Sequence, residues 1–280
     1  MIQGRPSTTA LRAATYRAQH QMLDQPLVFV DPLAVKILSP LGPLKLPPRT
    51  SPVRAWAAAR GRFAEDALDA ARSRGCTQYV ILGAGLDTFA YRHTGAYRHT
   101  GSSLPVFEVD HADTQAWKRS LLRQAGIAEP PQVTYVAVDF THQALVPELL
   151  RAGFLPNEPA FFSWLGVTPY LHESAVWETV AAIRGLHPRN EIVFDYLVER
   201  AGLSWRSRLA HRIIEWYVAR LGEPLRFLSA PPAIRTNLER IGFATVDDLD
   251  CPALNECYFR NRPDRLRIAG RIARIVHARP

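Results

Sequence analysis

Tyr79-Val-Ile-Leu82, followed by Gly83-Ala-Gly85-Leu86-Asp87-Thr88, is the stretch on which the fold turns. A short, unbroken apolar run reads as a strand buried on both faces, as parallel sheets require. Two glycines one residue apart then let the backbone turn sharply and come close to a ligand. A lone GxG fits an ordinary tight turn as well as a cofactor loop. The third glycine of a dinucleotide fingerprint is absent, with Leu86-Asp87-Thr88 in its place.

Downstream, the pattern repeats about every 30 residues. Val106-Phe-Glu-Val-Asp110 is a second strand ending in a carboxylate, and Asp113 to Arg123 is the helix after it. Val133 to Val138 is a third strand, ending at Asp139. Ala160-Phe-Phe-Ser-Trp164 is a fourth, followed by a helix over Glu173 to Leu186, and Glu191-Ile-Val-Phe-Asp195 is a fifth. Residues 199–221 read as helical; Phe243 to Leu249 and Arg271 to His277 read as last strands. Upstream, Thr8 to Gln21 carries Leu11, Ala14 and Ala18 near helical spacing. Asp31-Pro32 starts a helix through Leu38, with proline where its missing N–H costs nothing. Ser39 to Pro52 is a proline-rich loop, and an alanine-rich helix runs from Val53 to Arg74, ended by Gly75.

Strands alternating with helices imply βαβ units. The expected fold is α/β: a Rossmann-like, doubly wound, mostly parallel sheet with an N-terminal helical cap and a helical insertion. Residues 1–280 are expected to form one domain, with the cap over 1–75, the cofactor-binding core over 76–198, the insertion over 199–235 and the last strands over 236–280. Tyr91-Arg-His-Thr-Gly95 recurs as Tyr97-Arg-His-Thr-Gly101, which reads as a loop expansion, since two hexads are too few for a repeat fold.

Composition narrows the function classes. The chain is 47% hydrophobic and 21% charged, which suits a packed core and not wholesale disorder. No apolar run reaches a membrane span, and Met1 to Arg12 has no apolar core of a signal peptide. Cys76, Cys251 and Cys257 show no metal-ligand spacing and fit reduced thiols, so a cytoplasmic protein without a metal is expected. The net charge of +8 is almost all arginine, with lysine only at 36, 45 and 118. Those arginines are scattered without a basic run, which argues against a nucleic-acid partner and leaves room for an acidic substrate.

Ligands of such folds bind at the carboxyl ends of the strands. Asp110 lies 25 residues after Gly85. It can accept both hydroxyls of an adenosine ribose, whether in a nicotinamide cofactor or in adenosylmethionine; a carboxylate beside a helix N-terminus is the competing account. Asp139 can bind the exocyclic amine of adenine, or serve a helix cap near Thr141.

Together these segments resemble one family. Ile81-Leu-Gly-Ala-Gly-Leu-Asp-Thr-Phe-Ala-Tyr-Arg92 is similar to the glycine loop of the leucine carboxyl methyltransferase family, a branch of the class I S-adenosylmethionine-dependent methyltransferases. Phe107-Glu-Val-Asp110 with Thr114 to Lys118, Ala57 to Phe63, Trp164-Leu-Gly-Val-Thr-Pro-Tyr-Leu171, Thr8-Thr-Ala-Leu and Phe29-Val-Asp-Pro-Leu33 resemble its other segments. The resemblance implies S-adenosylmethionine as cofactor. Arg60 would hold its methionine carboxylate, with Arg62 as the alternative. Gly83 and Gly85 would lie against it, Asp110 would bind the ribose, and Asp139 with the backbone of Phe140 would frame the adenine. Tyr170 would stand near the methyl end as the catalytic candidate. A basic residue of the first helix belongs to the pattern; Arg17 is the candidate, and His20 competes.

Many members carry a glutamate where this chain has Leu165. The Trp-Leu-Gly-Val-Thr-Pro-Tyr version resembles the bacterial enzymes that methylate natural products. The expected reaction is O-methylation of a small-molecule carboxylate, which is ionised at neutral pH and needs no general base. A phenolic acceptor is the alternative, and His111 or His172 would then be the nearest bases, each also readable as a surface or packing histidine. Trp205, Trp216, Tyr217 and Phe227 would wall a small-molecule pocket or pack between helices. A nicotinamide oxidoreductase and a non-catalytic binding protein are the rival classes.

Overall fold

The computed structural model describes residues 8–44, 52–94, 103–140, 142–199, 212 and 224–280. Three helices come first: α1 (Thr8–Leu23), α2 (Pro32–Leu38) and α3 (Pro52–Ser73). There follow β1 (Gln78–Leu82), α4 (Phe89–Arg92), β2 (Val106–Asp110), α5 (Ala112–Gln124), β3 (Val133–Ala137), α6 (Leu145–Arg151) and β4 (Ala160–Trp164). A 3-10 turn (Thr168–Tyr170), α7 (Glu173–Leu186), β5 (Glu191–Val198), β6 (Leu228–Ser229), α8 (Pro231–Ile241), β7 (Thr245–Asp250), α9 (Cys251–Tyr258) and β8 (Ala273–Arg279) complete it. No helix among the described residues is long and apolar enough to cross a membrane.

The strands form one eight-stranded sheet in the order β3-β2-β1-β4-β5-β8-β7, with the short β6 beside β5. All pairings among β1 to β6 are parallel. The pairings of β8 with β5 and with β7 are antiparallel. The doubly wound, mostly parallel architecture read from the apolar runs is therefore what the chain adopts.

Alternation along each strand divides the core between the two faces of the sheet. Tyr79, Ile81, Phe161 and Val193 pack with α1, α2 and α3 on one face. Val80, Leu82, Phe162, Ile192 and Phe194 pack with α6, α7 and α8 on the other. A parallel sheet covered on both sides in this way leaves the carboxyl ends of its strands as the place where loops and ligands meet.

The cap is clasped by buried charge. His20 Nε2 accepts the backbone N–H groups of Val28 (3.0 Å) and Phe29 (3.3 Å), so its other nitrogen is the one that faces Asp24 Oδ2, at 2.8 Å. Arg54 of α3 grips the same carboxylate twice, at 2.7 and 2.9 Å. Burial works to raise the Asp24 carboxyl, and the hydrogen bonds from His20 and Arg54 outweigh it and hold the group below the usual carboxylate range. His20 is thus a fully buried fastener of the cap.

The glycine loop leads into a single helical turn, Phe89–Arg92, whose first N–H, that of Phe89, donates to Asp87 Oδ1 at 2.7 Å. Phe227 does not wall a pocket: it is 1% exposed and packs edge-on against Trp177, with ring centres 5.8 Å apart. Trp205, Trp216 and Tyr217, most of the expected insertion, and residues 95–101 of the Tyr-Arg-His-Thr-Gly duplication lie outside the described residues.

Candidate active site

The strand order reverses between β1 and β4, and the loops leaving these two strands part there. A cavity of about 1540 Å³ opens at this point. Its lining includes Arg17, Arg60, Gly83, Gly85, Asp110, Asp139, Phe140 and Tyr170, the first choices of the sequence reading for the cofactor and the methyl end; the alternatives Arg62 and His20 are not among the lining residues.

The glycine loop is packed closely against protein neighbours. Gly83 has φ of +65°, and a Cβ there would come 2.3 Å from Val167 Cγ2. Gly85 has φ of +47°, and its Cβ would meet that of Ala10 at 2.9 Å. A side chain at either position would be strained and would push away the α1 start or the loop after β4.

Asp110 closes the loop from the side. Its Oδ2 accepts Gly85 N–H at 2.6 Å and its Oδ1 accepts His111 N–H at 2.7 Å. Burial raises this carboxyl above its ordinary range, while those two N–H bonds oppose the shift. A carboxylate has about four lone-pair sites, so two remain for sugar hydroxyls. Asp139 and Phe140 follow β3 on the same rim, and the Phe140 ring packs on buried Trp164 with centres 5.7 Å apart.

Packing separates Arg60 from Arg62. Arg60 lines the cavity and donates to Asp195 Oδ2 at 3.0 Å. Gly166, with φ of +72°, makes room for it, since a Cβ there would lie 2.8 Å from Arg60 Nη1. Arg62 points away and pairs with Asp66 on the surface, with side chains 46% and 35% exposed. Of the first-helix candidates, Arg17 reaches the cavity and His20 does not. Arg17 donates through Nε to Asp31 Oδ2 (2.9 Å) and through Nη2 to the Leu86 carbonyl (2.6 Å).

These atoms suit an adenosyl sulfonium cofactor. An adenosine needs paired acceptors for its ribose and a flat apolar edge for its base; an amino-acid tail needs a cation. Asp110, Phe140 and Arg60 present those features around one cavity. Residues 10–184, more than half of the chain, match the leucine carboxyl methyltransferase family.

The chain belongs to the leucine carboxyl methyltransferase family.

It is an S-adenosylmethionine-dependent methyltransferase. A Bacillus subtilis protein assigned to the S-adenosyl-L-methionine-dependent methyltransferases is 31% identical to it over 95% of each chain. A Frankia alni protein with the same assignment is 34% identical over 64% of each chain. Among solved structures, a Thermobifida fusca protein assigned as a methyltransferase superposes with a TM-score of 0.56 at 16% identity, covering 99% of this chain and 96% of its own. Magnesium protoporphyrin IX methyltransferase from Synechocystis, solved with S-adenosylhomocysteine, superposes with a TM-score of 0.50 at 12% identity, covering 94% and 99%. At these identities the two structures speak for the fold.

The methyltransferase also has site residues that the sequence reading passed over. Asp31, read only as the start of α2 and as part of Phe29-Val-Asp-Pro-Leu33, is fully buried behind the cavity and accepts from Arg17, from Thr88 Oγ1 (2.6 Å) and from Ala34 N–H (3.1 Å). Arg92 Nε lies 3.5 Å from the same carboxylate, and its Nη2 donates to Glu65 of α3. Burial works to raise the Glu65 carboxyl, and a hydrogen bond from His93 together with the charge of Arg92 holds it below its ordinary value. Two family-like segments, Phe29 to Leu33 and Gly83 to Arg92, thus meet through one ion network. The remaining signal was a proline at the first helical position after Asp31, which marks that aspartate as a cap.

Asp195 was read only as a strand end. The strand runs on to Val198 because β8 pairs with it from Ile192 to Leu197, so Asp195 sits inside it, on the face toward α3. The nominated histidines have other duties. His111 caps α5 by accepting Asp113 N–H at 3.2 Å. His172 Nε2 faces Arg226 Nη1. A guanidinium has only donors, so that nitrogen is the acceptor. His142, exposed on the loop after β3, also borders the cavity.

Proposed function

We propose that the enzyme transfers a methyl group to a carboxylate oxygen of a small-molecule acid and releases the methyl ester. The reading rests on the family membership; of the three histidines that border the cavity, His111 and His172 have their acceptor nitrogens committed to protein donors, which leaves His142 as the base that a phenol would have to use. A phenol, with an ordinary pKa near 10, needs a base to ionise it, whereas a carboxylic acid is already ionised at neutral pH. Arg226 supports the same choice. It borders the cavity, and its backbone N–H donates to the Pro169 carbonyl at 2.7 Å, next to Tyr170. Its guanidinium suits a carboxylate, which it can grip through two N–H groups.

S-adenosylmethionine supplies the methyl group together with its own leaving group. In our reading the chain's residues orient and desolvate. Arg60 holds the cofactor carboxylate, with Arg17 fixing the glycine loop through Leu86; Gly83 and Gly85 lie beside the cofactor. Asp110 takes the ribose, Asp139 and Phe140 frame the adenine, and Tyr170 borders the methyl end. Catalysis then comes from alignment and exclusion of water. Leu165 lines the cavity; it stands where the pattern of the family that the sequence resembles has a glutamate, which favours a small metabolite acid over a protein C-terminal leucine.

The chemistry of the product tests this. With a methyl-labelled cofactor and a panel of organic acids and phenols, the label is expected to leave as methanol under mild alkali, as a carboxyl ester requires. Label that survives alkali marks an aryl methyl ether and transfers the proposal to phenols. A paired substitution checks the arginine choice: Arg60→Ala is expected to weaken S-adenosylhomocysteine binding roughly tenfold or more, since a charged hydrogen bond is lost. Arg62→Ala is expected to leave binding within about twofold, as for a surface pair.

A further inference from the structure

The amino-acid tail of S-adenosylmethionine is a zwitterion, with a carboxylate and an ammonium on one carbon. A wall that recognises it whole needs a cation and an anion side by side, because a buried charge left without a partner is costly. Arg60 supplies the cation in the reading above, on which this inference rests.

Of the carboxylates that border the cavity, Asp195 is the one hydrogen-bonded to Arg60. The two side chains are 16% and 6% exposed. Asp195 Oδ1 accepts the backbone N–H of Gly166 at 2.5 Å, and its own carbonyl accepts the Thr168 hydroxyl. These bonds tie β5 to the loop that carries Leu165 and Tyr170, and they hold the carboxylate rigidly at the cavity wall. Its two oxygens accept from two protein donors, which leaves lone pairs for a further donor. Leu165, beside it on the lining, brings no charge. Two of the other carboxylates on the lining are engaged differently: Glu65 pairs with Arg92, and Asp110, at the end of β2, accepts the backbone N–H groups of Gly85 and His111.

We propose that Asp195 receives the α-ammonium group of the cofactor, so that Arg60 and Asp195 together form a zwitterion clamp. The clamp selects a complete amino-acid tail: a cofactor fragment lacking either charge leaves one member of a buried pair facing an uncompensated neighbour.

Calorimetry with three adenosyl thioethers tests this: S-adenosylhomocysteine, its analogue without the α-amino group and its analogue without the carboxylate. The native enzyme is expected to bind the complete compound about tenfold or more tightly than either analogue. In Asp195→Asn, which keeps an acceptor for Gly166 N–H, the penalty for removing the amino group is expected to shrink to within about twofold while the carboxylate penalty persists. Arg60→Ala is expected to show the reverse. An amino-group penalty that survives in Asp195→Asn, with the carboxylate penalty lost instead, would mean that Asp195 only positions Arg60, and would overturn the proposal. Equal affinity of the native enzyme for the complete and the amino-free compounds overturns it without any variant. A native chain that binds S-adenosylhomocysteine but ignores the loss of its carboxylate overturns the assignment of Arg60, and is distinguishable from both.

Discussion

Asp31→Ala is expected to cost the fold about 3–5 kcal/mol, the usual result of breaking a buried ion pair by removing one partner. Asp31 is fully buried, and the charges around it balance: Arg17 and Arg92 against Asp31 and Glu65. Alanine leaves two guanidiniums with one carboxylate and takes the cap from α2 and the acceptor from Thr88. The loss spreads beyond one site, because the network joins α1, α2, α3 and the glycine loop. Urea unfolding followed by circular dichroism measures it, with Arg62→Ala as a surface control expected to stay within about 0.5 kcal/mol. A loss below about 1 kcal/mol for Asp31→Ala would show that the arginines find other partners. The network also has a pH signature. The Glu65 carboxyl is held below its ordinary value of 4.5, so its contribution is present above that pH and fades as the pH falls through the lowered value.

Asp110→Ala is expected to weaken S-adenosylhomocysteine binding by about 1–3 kcal/mol, the range for losing charged hydrogen-bond acceptors at a buried site. The structure adds a complication, since the same carboxylate holds Gly85 N–H and His111 N–H. Alanine strips these donors as well and loosens the loop. Asp110→Asn separates the two effects: it keeps an acceptor oxygen and removes the charge. The asparagine variant is therefore expected to keep most of the native melting temperature while still binding the cofactor more weakly. Unchanged affinity in both variants would reduce Asp110 to a carboxylate beside the start of α5.

Much of the architecture can be read along the chain. Tyr79 to Leu82, Val106 to Asp110 and Ala160 to Trp164 are apolar runs, and burial on both faces of a parallel sheet is what such runs are for. The helix from Glu173 to Leu186 and the loop glycines announce themselves through periodicity and through the positive φ that only glycine takes without strain. These features depend on sterics and burial over a few neighbouring residues, so nearby sequence suffices. The acids at the strand ends follow as well, because parallel strands deliver their carboxyl ends to one rim.

What stands opposite each of those residues is another matter. Arg60 and Arg62 are two positions apart on one helix, and nothing local says which faces the sheet; Gly166 and Asp195 decide it by giving Arg60 a seat. His20 competed with Arg17, the candidate, and drops out because α3 brings Arg54 to Asp24 and the histidine is buried there. Asp31, Glu65 and Arg92 are far apart in sequence, and their pairing exists only once the cap has docked on the sheet. Asp195 looked like a strand terminus until antiparallel β8 extended the strand past it. Charge pairing acts through a few ångströms of space whatever the separation along the chain, so strands and turns can be read residue by residue, while the partners of buried charges appear only in the assembled fold.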